Sequence, residues 1–531
     1  MFAKIGCSFE QGGLTVKNTI RLWMMSGVLI ALCFGSIASG ANLTPKQQPK
    51  SSPPQPVTLQ AAPQPPSTEM GAILGQAPNL VPQPQDYPLL VAQNAASPQA
   101  VIVSDPHVQA DLDRLAAEIA AIKKDTKKPD TKKAWSAPRV SGRLFLDSVN
   151  IIKQNTAATD GYDGYIQNGQ GGNIQNAAGF RELRLGVAGS GYDSFDYKIE
   201  LGFQGPTVVL VDNWIGAKNL PLLGYVRAGH FKPETGLYYP MSSNDISLME
   251  YATPANVFGL GRRIGISSEN TFANDRVRAF FGVFQSGATD ASRVLREDNQ
   301  GQVVNLRLTV APIFAEEGKR LLHLGGHWEY VATDAGKTAS INVSPAALNL
   351  YSPATLRSGV FDCDHYNRGG LEFALQNGPF SVRSEAFAGS YDAYRNSPTR
   401  NLFGAYVELG WFLTGEYRAY DLKKGGFGGV KPKKNFRPFK SGDSNLIDGF
   451  GAWQVVAQWG YTDLSDWRDM PKEAQARGGY QNDLVLGLSW FWTPQLRWVF
   501  EYVHSMQNIR LEGAHRHPTE DIFGTSVRVN F

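Results

Sequence analysis

The chain has 531 residues, with 51 basic and 48 acidic side chains and a net charge of +3. Such a small surplus gives no basis for a nucleic-acid partner, and three cysteines are too few for a disulfide scaffold. From residue 138 onward basic and acidic groups balance at 39 each, so any charge preference there must come from placement rather than from the total.

The chain starts with the pattern of an export signal. Lys17 and Arg21 precede an apolar run from Leu22 to Ala38, which exits through Ala38-Ser39-Gly40-Ala41. The run is short for a spanning helix, which needs about 20 residues. Residues 1–41 are therefore expected to be a signal peptide. Cys33 follows Leu32, which does not suit a lipidation site, and Cys363 is the one cysteine left after cleavage.

Residues 42–104 are a Pro/Gln-rich spacer, as in Pro53-Pro54-Gln55-Pro56 and Pro82-Gln83-Pro84. Such a composition cannot bury a core. Residues 105–137 hold a short helix and a basic linker. Ser104-Asp105-Pro106 is a helix start, and Val108, Leu112, Leu115, Ile119 and Ile122 form an apolar seam of coiled-coil spacing. The run Lys123 to Lys133, broken by Pro129, is a solvated linker.

After Pro138 the period changes to two. Leu183-Arg184-Leu185, Phe195-Asp196-Tyr197-Lys198-Ile199, Arg276-Val277-Arg278-Ala279 and Leu306-Arg307-Leu308 each put apolar side chains on one face and Arg, Lys, Asp or Glu on the other. Trp490, Trp492, Trp498 and Tyr502 mark strand ends as interfacial aromatics. The chain closes on an alternating strand ending at Phe531. With an export signal, this predicts an all-β fold: a transmembrane antiparallel β-barrel of about 16 strands over residues 138–531, lipid outside and water inside. The expected location is the bacterial outer membrane, with the spacer in the periplasm.

Lumen-facing cations by strand parity are Arg143, Arg184, Lys198, Arg278, Arg307, Arg383, Arg497 and Arg528, accompanied by Glu182, Glu200, Glu385 and Glu501. Residues 233–258 make a poor strand and a good constriction loop, flanked by Lys232, Arg262 and Arg263, with Tyr238, Tyr239 and Met241 to narrow the passage. His323 and His327 share the lumen face but lie two pleats apart, too far for one metal ion. No metal or cofactor is expected. There is no Walker loop, CxxC pair, HExxH or G-x-S-x-G elbow, so an enzyme is not expected either.

Six stretches give a resemblance to the phosphate-selective porin O and P family. They are Arg181–Gly186, Ala228–Pro233, Ser243–Glu250 running on to Gly261–Gly265, Phe412–Arg418, Gly451–Gln454 and Asn482–Trp490. The resemblance implies a 16-stranded, homotrimeric barrel with an inward third loop, whose Arg and Lys residues bind and pass phosphate or polyphosphate. One departure is Gln454, where the family tends to have an acid after the Ala-Trp pair. The expected function is passive diffusion of small anions. Two other readings are a general or sugar-type porin, and a barrel anchor whose spacer contacts the cell wall.

Overall fold

The computed structural model describes residues 135–155, 176–204, 207–286, 301–333, 338–346, 354–392, 398–436, 449–469, 478–511 and 514–531, with a few positions between 110 and 117. The signal segment, the spacer and the apolar seam of the helix lie outside these residues. The chain divides into two units, residues 1–102 and 103–531, and the strands lie in the second.

That unit is built on one closed sheet, with two small two-stranded sheets in its connections, Thr338–Val343 with Leu356–Asp362 and Tyr420–Asp421 with Gly426–Phe427. The strands of the closed sheet are β1 (Arg139–Gln154), β2 (Ala177–Gly191), β3 (Phe195–Gln204), β4 (Thr207–Leu220), β5 (Gly224–Phe231), β6 (Arg263–Phe272), β7 (Val277–Gln285) and β8 (Gln302–Ala315). They continue as β9 (Arg320–Ala332), β10 (His365–Asn377), β11 (Phe380–Asp392), β12 (Arg400–Phe412), β13 (Ala452–Asp463), β14 (Gly479–Phe491), β15 (Leu496–Leu511) and β16 (Thr519–Asn530). Each strand pairs antiparallel with the next, and β1 pairs with both β2 and β16, which closes the ring. Phe531 adds two backbone hydrogen bonds to Gly142, of 2.9 and 3.0 Å, at this seam. Closure leaves no unpaired edge, as a sheet in hydrocarbon requires.

The burial pattern inverts that of a soluble sandwich. Leu306 and Leu308 are 42% and 53% exposed, while Arg307 between them is 3% exposed. The same inversion places Leu183, Leu185, Leu371, Phe373, Leu409 and Trp411 outside, with Asp147, Glu200, Arg383, Glu408 and Glu501 inside. Period two on a sheet with lipid on one side and a polar lumen on the other produces this arrangement. Near one rim the outer face carries stacked aromatics: Trp453 on Trp490 at 4.8 Å, and Trp498 beside Phe500 at 4.8 Å.

Connections at that rim are short turns, such as 192–194 and 273–276. Ala273, Asn274 and Asp275 all take positive φ there, a conformation Asn and Asp tolerate best among non-glycines. Long connections gather at the opposite rim. Two segments leave this pattern and enter the barrel, one from each rim: 232–262 and, in the connection after β12, 413–436.

Candidate functional site

Segment 232–262 cannot continue as a strand. Pro233, Pro240 and Pro254 remove ladder donors, and Gly236 and Gly261 sit at φ of +87° and +71°. Gly236 is also required sterically, because a Cβ there would lie 2.0 Å from Glu385 Oε1. The segment crosses the lumen and is pinned to the wall along its length. Glu385 Oε1 accepts from the Leu237 N–H at 2.6 Å, and its Oε2 from the Tyr238 N–H at 3.0 Å. The Tyr238 hydroxyl donates to Glu408 at 3.0 Å. The Met249 N–H donates to Glu501 at 2.8 Å, and the Thr253 hydroxyl to Asp483. The short helix Thr253–Phe258 closes the segment against β12 and β13.

The two sides of the lumen then differ. Against β7 to β12 the loop packs tightly. Leu237, Tyr238, Phe258, Phe387 and Tyr406 form a buried apolar cluster. Arg278 and Arg307 both reach Glu234 of the loop, at 2.6 and 3.0 Å. Arg307 also pairs with Glu372 at 2.8 Å, and Arg383 pairs with Glu408. Burial alone would raise the pKa of Glu234, but these two guanidinium groups outweigh it and hold it down at about 2. His323 donates to Glu372 at 3.1 Å and shares a hydrogen bond with the Tyr420 hydroxyl at 2.6 Å, and His327 stands 4.0 Å from the same carboxylate.

Against β1 to β5 the loop leaves a cavity of about 420 Å³. Its cations are Arg143, Arg181, Arg184, Lys198, Arg227, Lys232 and Arg262, seven against the four carboxylates Glu182, Asp212, Glu234 and Glu250. Several cations are shared with acids: Arg184 with Glu182 at 3.0 Å, Lys198 with Asp212 at 3.0 Å, and Arg262 with Asp212 at 2.7 Å. Lys232 differs. Its ammonium donates to the Tyr239 carbonyl at 3.0 Å and to the Tyr251 hydroxyl at 3.2 Å. It lies 4.2 and 4.7 Å from the two ring centres. No described carboxylate pairs with it. Burial, and then the charge of Arg262, pulls its pKa down to about 7.

Most of the cations named from the sequence separate into two groups, while Arg497 and Arg528 donate to backbone carbonyls of the loop. Lys232, Arg262, Arg184 and Lys198 meet at the cavity, with Tyr239 and Met241 on its loop side. Arg278, Arg307 and Arg383 are buried in ion pairs on the other wall, and Arg263 donates to the Ser286 carbonyl. Tyr238 is fully buried and holds the loop to the wall instead of facing the cavity.

Sequence reasoning gave no site role to Asp212, Arg181 or Glu408, nor to segment 413–436. That segment enters from the short-turn rim. Its Gly425 carbonyl accepts from Arg307 at 2.8 Å, and Arg418 reaches the Asp245 carbonyl and Ser247 of the loop. The signal available was length, since the other connections at that rim are brief turns. Among the described residues, no three His, Cys, Asp or Glu side chains are grouped to hold a metal ion.

A closed barrel, apolar outside and charged inside, narrowed by a loop with a polar cavity beside it, is a transmembrane pore. The sequence model of the family described as "Phosphate-selective porin O and P" matches residues 152–521, and the chain belongs to that family. It is an outer-membrane porin. It is 27% identical to an uncharacterized protein of Caulobacter vibrioides over 377 residues, covering 68% of this chain and 69% of that one. It is 24% identical to Porin O of Pseudomonas aeruginosa over 341 residues, covering 57% and 70%. Among solved structures it is similar to the outer membrane channel DcaP of Acinetobacter baumannii, with 12% identity, a TM-score of 0.43 and coverage of 75% and 98%. It is also similar to an anion-selective porin from Comamonas acidovorans, with 10% identity, a TM-score of 0.40 and coverage of 74% and 99%.

Proposed function

We propose that this porin passes small phosphate-like anions by diffusion, through the cavity between the constriction loop and β1 to β5. The observation that carries this reading is the cation excess there, seven against four, with Lys232 unpaired by any described carboxylate. An anion shedding water at a narrow point needs replacement donors. Lys232 offers a compact charge on the loop. Arg262 and Arg184 offer planar forks that match two oxygens of a phosphate. Glu182 and Asp212 share those forks, and this competition keeps the binding shallow enough for release. Arg278, Arg307 and Arg383 hold the loop and the wall in place. Pore function needs no catalytic group, and the chain is read as a channel with no enzymatic activity.

The same reading makes residues 1–41 an export signal and residues 42–137 a periplasmic segment. Family membership supports a homotrimer.

Reversal potentials in planar bilayers under a salt gradient test the proposal. A clear preference for chloride over potassium is expected, with phosphate reducing the chloride current. A pore that prefers cations, or neither ion, would overturn it.

A further inference from the structure

Three buried arginines converge on the constriction loop, outside the lining of the cavity. Arg418 comes from segment 413–436, Arg497 from β15 and Arg528 from β16. All three are 4% exposed or less. Their hydrogen-bond acceptors are neutral. Arg418 donates to the Asp245 carbonyl, to Ser247 Oγ at 3.2 Å and to Gln454 Oε1 at 3.0 Å. Arg497 donates to the Ile246 carbonyl at 2.7 Å. Arg528 donates to the carbonyls of Ser243 and Met249 at 3.0 and 2.7 Å. Among the described residues, none of the three has a carboxylate at ion-pair distance. Arg278, Arg307 and Arg383, equally buried, each have one.

Ser243 joins this cluster to the cavity. Its carbonyl accepts from Arg528, and its hydroxyl accepts at 3.0 Å from Arg143, which lines the cavity. One layer of loop therefore separates the three charges from the path. Charges behind a thin protein layer are poorly screened and act across it.

We propose that Arg418, Arg497 and Arg528 determine selectivity without touching the permeating ion: their charge, which no described carboxylate meets at ion-pair distance, biases the cavity toward anions from behind the loop. This rests on the anion reading above, and it accounts for a preference in a barrel with equal numbers of acids and bases. The cavity's own cations are largely shared with Glu182, Glu200 and Asp212, whereas none of these three has a described carboxylate at ion-pair distance. Gln454, fully buried against Arg418, is the position that keeps the balance positive, since an acid of the same shape there would pair with it.

Gln454→Glu is the test, with Gln454→Met as the uncharged control of similar volume. Reversal potentials are read at low and at high salt. The Glu variant should lower the anion-to-cation permeability ratio about fivefold at low salt. The difference should shrink near 1 M salt, where the screening length is about 3 Å. The Met control should keep the native ratio, which a merely structural role for Gln454 would not allow. An unchanged ratio in Gln454→Glu, with the native pore anion-selective, overturns this inference and leaves the proposed function standing. A native pore without anion preference overturns the proposed function itself. If Gln454→Glu does not assemble, Arg497→Gln takes its place: the ratio should fall there too, and an unchanged ratio overturns the inference.

Discussion

The wall formed by β7 to β12 and the wall formed by β1 to β5 have the same residue types facing inward, yet they do different work. On the first, each of Arg278, Arg307 and Arg383 meets a carboxylate and a loop or turn seals them from water. On the second, Arg184, Lys198 and Arg262 share Glu182, Glu200 and Asp212 around an open cavity, with Lys232 beside them unpaired by any described carboxylate. An arginine pointing into a barrel is thus a fastener or a guide for ions depending on what the loop places against it. Which role it takes is set by residues far away in sequence: Glu234, Leu237 and Tyr238 are what close the first wall.

The sharpest way to break this comparison is to remove one fastener and one guide. Arg307→Met leaves Glu372 and Glu234 buried with one partner fewer. A loss of about 3–5 kcal/mol in unfolding free energy is expected, read by urea or thermal unfolding of the folded barrel. Arg262→Gln removes a cation from a half-open site and should cost about 1 kcal/mol or less, while lowering the anion preference in bilayers. Equal losses of stability would show that the two walls do not differ.

A smaller effect is expected from freeing the loop. Glu385→Leu removes the acceptor of two loop amides and of the Tyr406 hydroxyl, which donates at 2.7 Å. Buried hydrogen bonds of this kind contribute about 0.5–1.5 kcal/mol each, so the loop should leave the wall and single-channel conductance should change. Native conductance in this variant would mean that the apolar cluster alone holds the loop.

The smallest effect is in pH. Lys232, with its pKa near 7, is charged below that value and neutral above it. Anion preference should therefore be full about one unit below pH 7 and weaker about one unit above it. The arginines stay charged throughout, so they set the preference that remains. Lys232→Met should abolish the pH step, and a step that survives in that variant would point to another group.

Much of this was legible in the chain. Strict alternation across Leu306-Arg307-Leu308 fixed which side chains face lipid, because a one-residue slip would move every side chain to the opposite face. The proline and glycine content of 233–258 showed where the strand pattern fails. Lys232 and Arg262 stood out because they flank that failure. Neither Asp212 nor Arg418 carried any such mark. Asp212 is one of many alternating acids, and Arg418 lies in a connection with no periodicity.

Sequence by itself determined the closed barrel, its greasy and charged faces and the position of the inward loop, since all three follow from local period and from breaks in it. Tertiary structure alone decided which cations are neutralised. Pairing depends on contacts between residues such as Arg307 and Glu234, or Arg497 and the Ile246 carbonyl, whose separation along the chain local pattern cannot bridge. Charge type is written locally, whereas charge compensation is a property of the folded interior.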